Sequence, residues 1–393
     1  MNTFDLLLNP LTEFYKNTSF YNFSVQHIIM LIVGLIFIYL AIKKKYQPLL
    51  LIPLGIGIIL GNIPFYQSTH LLASDPLNLK IGIYQEGSWL YYLRYGMVHN
   101  IYPSLLLLCL GAMTDFSSLL SNPKLILIGL ASQIGIFGAF ALALCGGFVP
   151  KEAAAIGLAG CADGPASMFI ASKFSPSLIN AIVVSAYVYM IFVRVIQAPV
   201  MKILTTRSER VIRMKPPRAV SRTEKIMLPV VGLLLTCLLV PASLPLLGML
   251  FLGNLIKESG VTKRLANTIS GPLVDIVIVL TGLALGASTQ ADIFFNEKTF
   301  FIFIIGLIAF IVATGFGVLF VRFMNLFLSD NNKINPLIGN AGVSAIPSSA
   351  SVSEWEGLKY DKNNHLLMHA MGPNAAGVIG SAIAAGVLIS ILY

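Results

Sequence analysis

Charge is scarce in this 393-residue chain: Asp, Glu, Lys and Arg make up 11% of it, against 56% hydrophobic residues and a mean hydropathy of +0.82. A soluble enzyme of that composition would leave too much apolar surface in water, and a disordered chain or a nucleic-acid binder needs the charge that is missing here. Cysteine is also sparse. Cys109, Cys145, Cys161 and Cys237 all lie in apolar stretches without C-x-x-C spacing, so no disulfide or zinc framework is expected, only buried, inert thiols. No G-x-x-x-x-G-K-[ST] string is present, which excludes a P-loop, and no Ser/His/Asp or zinc-spaced cluster appears. Energy for any transport must come from a gradient or from a partner.

What is present is apolar sequence in long runs. Runs of spanning or near-spanning length lie near 24–42, 48–62, 100–114, 124–148, 178–204, 226–241, 243–256, 270–289, 299–328 and 375–392. These predict an all-α, multi-pass membrane protein of about ten helices. The N-terminus lacks a basic n-region and its first run ends in Lys43-Lys44-Lys45, as in a retained span and unlike a cleaved signal peptide. Residues 63–98 are expected at the interface. The net charge of +9 is concentrated: residues 202–225 hold eight basic residues against Glu209 and Glu224, +6 of the total. Such a block between apolar runs predicts a cytoplasmic loop.

Two segments, 153–173 and 336–350, are too short and interrupted to cross as regular helices. The first breaks at Asp163-Gly164-Pro165 and the second near Ile346-Pro347. They are related: Ile156-Gly157-x-Ala159-Gly160 matches Ile338-Gly339-x-Ala341-Gly342, and Pro165-x-Ser167 matches Pro347-x-Ser349, both at offset 182. Upstream, Leu110-Gly111-Ala112-Met113-Thr114 matches Leu285-Gly286-Ala287-Ser288-Thr289 at offset 175. Two matches in the same order indicate an internal duplication. If each broken segment re-enters its own side, the run at 178–204 ends at the basic loop on the cytoplasmic side, and the halves are inverted. The expected organisation is N-terminal helices over 1–98, a first repeat over 99–204, the basic loop 205–225, and a second repeat over 226–393.

Few ionisable residues fall within the apolar segments: Asp163, Arg194 and, near the start of one span, Asp275. A charge at membrane depth costs roughly 2.5–3.5 kcal/mol on insertion scales, so each demands a reason. Asp163 sits where a broken helix frees backbone carbonyls, which with hydroxyls suit a hard cation such as Na⁺. The same carboxylate can take a proton when no ion is bound. The alternative role for Asp163 is the cap of the half-helix that begins Gly164-Pro165-Ala166. Tyr187 and Tyr189 read first as packing aromatics. Asn374 and Ser381, seven residues apart, share a helix face and offer oxygens, although small-residue helix packing explains them equally well. Arg194 suits a carboxylate partner, an anionic substrate or a structural ion pair.

The strings GAMTDF (111–116), GLAGCADGPAS (157–167), AYVYM with IQAPVMKILTT (186–206), NPLIGNAGVSAIP (335–347) and HLLMHAMGPNAAGVIGSAIAAGVL (365–388) resemble the membrane β subunits of the biotin-dependent sodium-pumping decarboxylases. That family acts on oxaloacetate, methylmalonyl-CoA, glutaconyl-CoA and malonate. The resemblance implies a transporter-like, elevator-type fold and decarboxylation of carboxybiotin coupled to Na⁺ export with consumption of a proton. It implies biotin on a partner, since Met214-Lys215 lies among Arg and Pro and does not look like an attachment lysine. A carboxyltransferase/biotin-carrier α subunit, a small membrane γ/δ subunit, a homo-oligomer and a bacterial or archaeal cytoplasmic membrane follow from the same resemblance. It further implies catalytic roles for Asp163 and Tyr189, to which Arg194 is added as a candidate, and Na⁺ binding by Asp163, Asn374, Gly377 and Ser381. This chain reads Val193-Arg194-Val195-Ile196-Gln197-Ala198-Pro199 where relatives usually carry Val-Pro-x-Ile-Gln-Pro-Pro. No Lys, Arg, Asp or Glu follows Lys362, whereas some relatives have an arginine in the last helix. If that arginine contacts carboxybiotin, Arg194 is the candidate to replace it. The rival reading is a Na⁺-coupled carrier of a small organic anion without decarboxylase chemistry.

Overall fold

A computed structural model describes residues 18–64 and 88–393, together with Thr12, Phe14 and Tyr15; the first part of the expected interfacial segment, 65–87, lies outside the described residues. Every regular element among them is helical. Five helices are long and apolar enough to cross a bilayer alone: Val25–Lys44, Leu125–Cys145, Lys263–Ser288, Glu297–Asn325 and Leu367–Leu392. Counting each bent pair as one span brings the number to seven, and Pro48–Gly61 is a shorter apolar helix. The helix expected over 178–204 is two helices, Ile179–Ile191 and Val193–Leu204, bent by 64° at Phe192 (φ −93°, ψ 13°). Cys109 and Cys161 are buried as expected, but Cys145 is exposed and Cys237 half-buried; all four are free.

The chain divides into two compact units, one of residues 1–99 with 275–299 and the other of 100–274 with 300–393. The smaller holds a motif that the larger repeats. In the smaller unit, the end of helix Pro48–Gly61 runs so close to the segment Val274–Ser288 that a Cβ on Gly61 would overlap the Ala287 carbonyl. Asn62 then clasps the crossing, donating from Nδ2 to the Thr289 carbonyl at 2.8 Å. In the larger unit Leu244–Ser259 packs along Ile101–Met113, and a Cβ on Gly253 would overlap the Leu108 carbonyl. Asn254 Nδ2 there donates to the Thr114 carbonyl at 3.0 Å and to that of Gly111 at 3.2 Å. The strings behind the two clasps, Leu60-Gly61-Asn62 and Leu252-Gly253-Asn254, are identical, and Thr289 and Thr114 are partners in the repeat already read. Glycine lets two backbones touch, and the asparagine satisfies a carbonyl at a helix end that lipid could not. Asn254→Ala removes the side-chain donor from the Gly111 carbonyl, while Thr114 keeps Lys257 Nζ at 2.9 Å, and is expected to lower stability by about 1–3 kcal/mol, measured by unfolding in detergent.

The first broken segment forms helices Pro150–Ala159 and Gly164–Phe174 around a turn with Ala162 in the left-handed region (φ 50°). The second differs from its copy. Its first arm, Pro336–Gly342, is a 3₁₀ stretch, and after a cis Ile346–Pro347 bond its helix runs over Ser348–Leu358, well past the expected end at 350. The second helix continues through Ser351–Leu358, beyond the end read from the sequence.

The basic loop folds back on this second segment. Arg210 donates to Tyr360 Oη at 2.7 Å and to the Lys202 carbonyl at 2.6 Å, and Asn335 Nδ2 donates to the carbonyls of Arg210 and Ile212, both at 2.9 Å. Arg213 pairs with Asp361 at 2.8 Å, and that hydrogen bond holds the Asp361 carboxyl below the usual carboxylate range.

Candidate functional site

Asp163 is the cap that was considered for it, and its second carboxylate oxygen is turned to the closing helix. As the cap of Gly164–Phe174 its Oδ1 accepts from the Ala166 amide at 2.9 Å, so the freed N-terminus of the half-helix is satisfied. Its Oδ2 accepts from the Ser381 hydroxyl of the closing helix Leu367–Leu392. Only 3% of the residue is exposed. No lysine or arginine pairs with it among the described residues. A buried carboxylate without a counter-ion is costly unless a cation or a proton joins it.

The closing helix ties down both breaks. Ser381 reaches the first, and Asn374 reaches the second, donating from Nδ2 to the carbonyls of Ala341 at 3.0 Å and Val343 at 2.9 Å and to Ser349 Oγ at 2.9 Å. Asn374 Oδ1 is buried and has no hydrogen-bond donor; Ser167 Oγ, one turn beyond Asp163, is likewise buried without a partner. A buried oxygen left without a hydrogen-bond partner is one that a bound ion or water would satisfy. Seven residues of helix rise about 10 Å. Ser381 and Asn374 therefore mark two positions along the closing helix, and one Na⁺ with ligands near 2.4 Å does not span them.

Gly377 lies between. Its carbonyl accepts from Gln133 Nε2 at 3.2 Å and Ser344 Oγ at 3.0 Å, and a Cβ on it would overlap the Gly342 carbonyl. With two donors on its oxygen, Gly377 serves the site through close approach of helix to break. The expected Na⁺ ligands thus fall at two places along one helix, Ser381 with Asp163 at the first break and Asn374 at the second, with Gly377 as a packing point between them.

Tyr189 and Arg194 stand apart from Asp163. The Tyr189 hydroxyl donates to the Phe303 carbonyl at 2.6 Å and its ring lies 6.1 Å from that of Phe310, which pins Ile179–Ile191 to Glu297–Asn325. Arg194 is exposed, its guanidinium 4.6 Å from the centre of the Trp355 ring, with Lys359 Nζ 3.0 Å from the same ring. Asp275 is exposed and lies midway along Lys263–Ser288, not near the start of a span as the sequence predicts.

Tyr187 is a packing aromatic, as expected, and two further features, at Asn340 and Glu356, went unread in the sequence. Tyr187 packs over the first break: a Cβ on Gly164 would lie 2.8 Å from its hydroxyl oxygen. Tyr187→Phe is expected to raise the Na⁺ concentration for half-maximal activity about tenfold, the scale of a lost supporting contact, in a Na⁺ titration of turnover. Asn340, wholly buried, donates to Gln197 Oε1 at 2.8 Å and to the Ser349 carbonyl at 2.9 Å, binding the second break to Val193–Leu204. Glu356 is a fully buried carboxylate, held by Lys202 at 3.2 Å and Lys359 at 2.8 Å. Its signal was the helical pattern beyond 350, where the second segment had been taken to end.

Among the described residues no three His, Cys, Asp or Glu converge, and the free polar atoms at the breaks are oxygens. Buried oxygens around interrupted helices are what an ion-handling, polytopic membrane protein requires. Within that class the chain matches the family model of the Na⁺-transporting oxaloacetate decarboxylase β subunit over residues 26–392, and it belongs to this family. It is 46% identical to the methylmalonyl-CoA decarboxylase subunit beta of Propionigenium modestum, covering 98% of this chain and 100% of the relative. Identity to the oxaloacetate decarboxylase beta chain of Klebsiella pneumoniae is 44%, over 92% of this chain and 94% of the relative. For the glutaconyl-CoA decarboxylase subunit beta of Acidaminococcus fermentans it is 42%, over 99% of each chain. Family membership supports the decarboxylase reading over the simple carrier. The relatives differ in the acid named, so the family assigns this chain the membrane step and not a particular acid.

Proposed function

We propose that this chain decarboxylates carboxybiotin presented by a partner and couples the reaction to Na⁺ export. The observation that carries the reading is the Asp163 carboxylate, buried at a helix break, hydrogen-bonded to Ser381 and without a basic partner among the described residues. Na⁺ entering from the cytoplasm binds at Asp163 and Ser381, and Asn374 Oδ1 offers a second position at the other break. Cleavage of the N–CO₂⁻ bond of carboxybiotin releases CO₂ and leaves a ureido nitrogen that must take a proton. Asp163 exchanges its Na⁺ for a proton as the ion leaves outward, so the consumed proton and the exported ion use one carboxylate. Tyr189 holds the helix that packs over the first break. Arg194, exposed and without a carboxylate partner, is the contact for the carboxylate of carboxybiotin.

About ten crossings in two inverted repeats, with the broken segments re-entering and moving as an elevator, is the architecture that suits this cycle. The repeated Gly-Asn clasp supports the duplication it requires. The biotin is carried by an α subunit that is also the carboxyltransferase, a small γ/δ subunit and further copies of this chain complete the assembly, and the membrane is a bacterial or archaeal cytoplasmic one.

The test is CO₂ release from free carboxybiotin by the purified subunit, alone and with its partners. Release that saturates with Na⁺ supports the reading. Release independent of Na⁺, or Na⁺ flux through the isolated subunit in the absence of carboxybiotin, contradicts it.

A further inference from the structure

Beside the basic loop lies a cavity of about 290 Å³ that the pump mechanism does not use. Its walls come from four separate stretches of the larger unit: 118–125, 214–218, 328–334 and His369. Lys124, Lys215, Arg218 and Lys333 all line it, and no Asp or Glu does. Two of the four cations are already neutralised by acids outside the cavity wall, Arg218 by Glu224 at 2.7 Å and Lys333 by Asp330 at 2.6 Å. The other two are not. Lys215 Nζ donates to Asn332 Oδ1 at 2.8 Å, a neutral acceptor, and Lys124 has no carboxylate partner among the described residues.

Lys124 and Lys215 are exposed and line the same cavity without a carboxylate on either, so an anion seated there would compensate both. Here the diproline Pro216-Pro217 stiffens the loop that carries Lys215 and Arg218, and the Arg218 amide is fixed to Ser121 Oγ at 2.8 Å, so the wall is held in place. The side chains of Asn122, Asn331 and Ser121 border the same space and supply neutral donors. Amide and hydroxyl donors around paired ammonium groups suit the several oxygens of a phosphate better than a halide.

We propose that this cavity is a binding site for a dianionic phosphate group. It goes beyond the pump reading and does not depend on it. The group comes either from a soluble phosphate compound or from the headgroup of an anionic lipid, since basic pockets between membrane helices take lipid phosphates by the same contacts.

The test uses the full chain purified in neutral detergent, in Na⁺-free buffer so that the ion site does not contribute. Thermal unfolding is followed with potassium pyrophosphate against KCl at equal ionic strength. In parallel, the protein is placed in nanodiscs of phosphatidylcholine with and without phosphatidic acid. A saturable rise in the unfolding midpoint with pyrophosphate assigns a soluble ligand, and a rise only with phosphatidic acid assigns a lipid. In either case Lys124→Gln and Lys215→Gln are each expected to weaken binding about tenfold, while Lys124→Arg and Lys215→Arg retain it. Unchanged midpoints of the ligand-free variants report that they are folded. The proposal is overturned if pyrophosphate and phosphatidic acid do no more than KCl and phosphatidylcholine, or if their effect survives both Gln substitutions.

Discussion

Asp163→Asn is expected to reduce both Na⁺-dependent CO₂ release and ²²Na⁺ uptake by about 10²-fold or more, because a ligand that is itself the charge on the ion's site is lost, and lost supporting contacts alone cost up to about that much. The substitution isolates electrostatics from folding. Asparagine keeps a carbonyl oxygen that can accept from the Ala166 amide, so the half-helix Gly164–Phe174 remains capped. What disappears is the negative charge and its capacity to exchange Na⁺ for a proton. The midpoint of thermal unfolding in Na⁺-free buffer should therefore stay close to wild type while activity collapses. Asp163→Glu keeps the charge but displaces it by a methylene within a fully packed break, and should retain partial activity at raised Na⁺. Ser381→Ala removes only the hydroxyl that meets Oδ2. It should shift the Na⁺ requirement without abolishing turnover.

Gly377→Ala has the second-largest expected effect. The added methyl would overlap the backbone carbonyl of Gly342, and a backbone neighbour cannot rotate away as a side chain would. The closing helix must move off the second break, carrying Asn374 from its three hydrogen bonds and Ser381 from Asp163. A displacement near 1 Å at a reacting or binding centre costs about 10²-fold in rate, and forcing a methyl into a filled interior costs typically 1–3 kcal/mol. Turnover and the unfolding midpoint should fall together, unlike Asp163→Asn. Gly138→Ala provides the control: nothing lies near its Cβ position, and in the middle of Ile134–Cys145 the methyl should be neutral or stabilising by up to about 1 kcal/mol.

The features legible in the sequence were those written in local chemistry. Asp163-Gly164-Pro165 announces a helix end, since proline fits the first turn and aspartate caps it, and the break stands there. The apolar runs locate most helices to within a few residues; Lys263–Ser288, Leu367–Leu392 and Ser348–Leu358 extend through residues of ordinary polarity, and Trp89–Val98 lies where no run was read. The bend at Phe192 had no glycine or proline at the position itself to mark it. The clasp glycines were harder to read, because Leu-Gly-Asn is unremarkable until two backbones are seen to cross there. Tyr187 and Tyr189 illustrate the limit most simply. Two residues apart on a helix, they point about 200° apart, so only one can face the break; which one depends on the packing partner and not on the residue type. Arg194 likewise read as a charge within an apolar run, but a bent helix brings it to the surface over Trp355.

The most direct test of the ion site is equilibrium binding of ²²Na⁺ to the purified subunit without carboxybiotin, measured across pH. Because ion and proton compete for the Asp163 carboxylate, apparent affinity should weaken as pH falls, and saturable binding should be lost in Asp163→Asn. Binding by Asp163→Asn equal to wild type, with the same response to pH, would place the transported ion elsewhere.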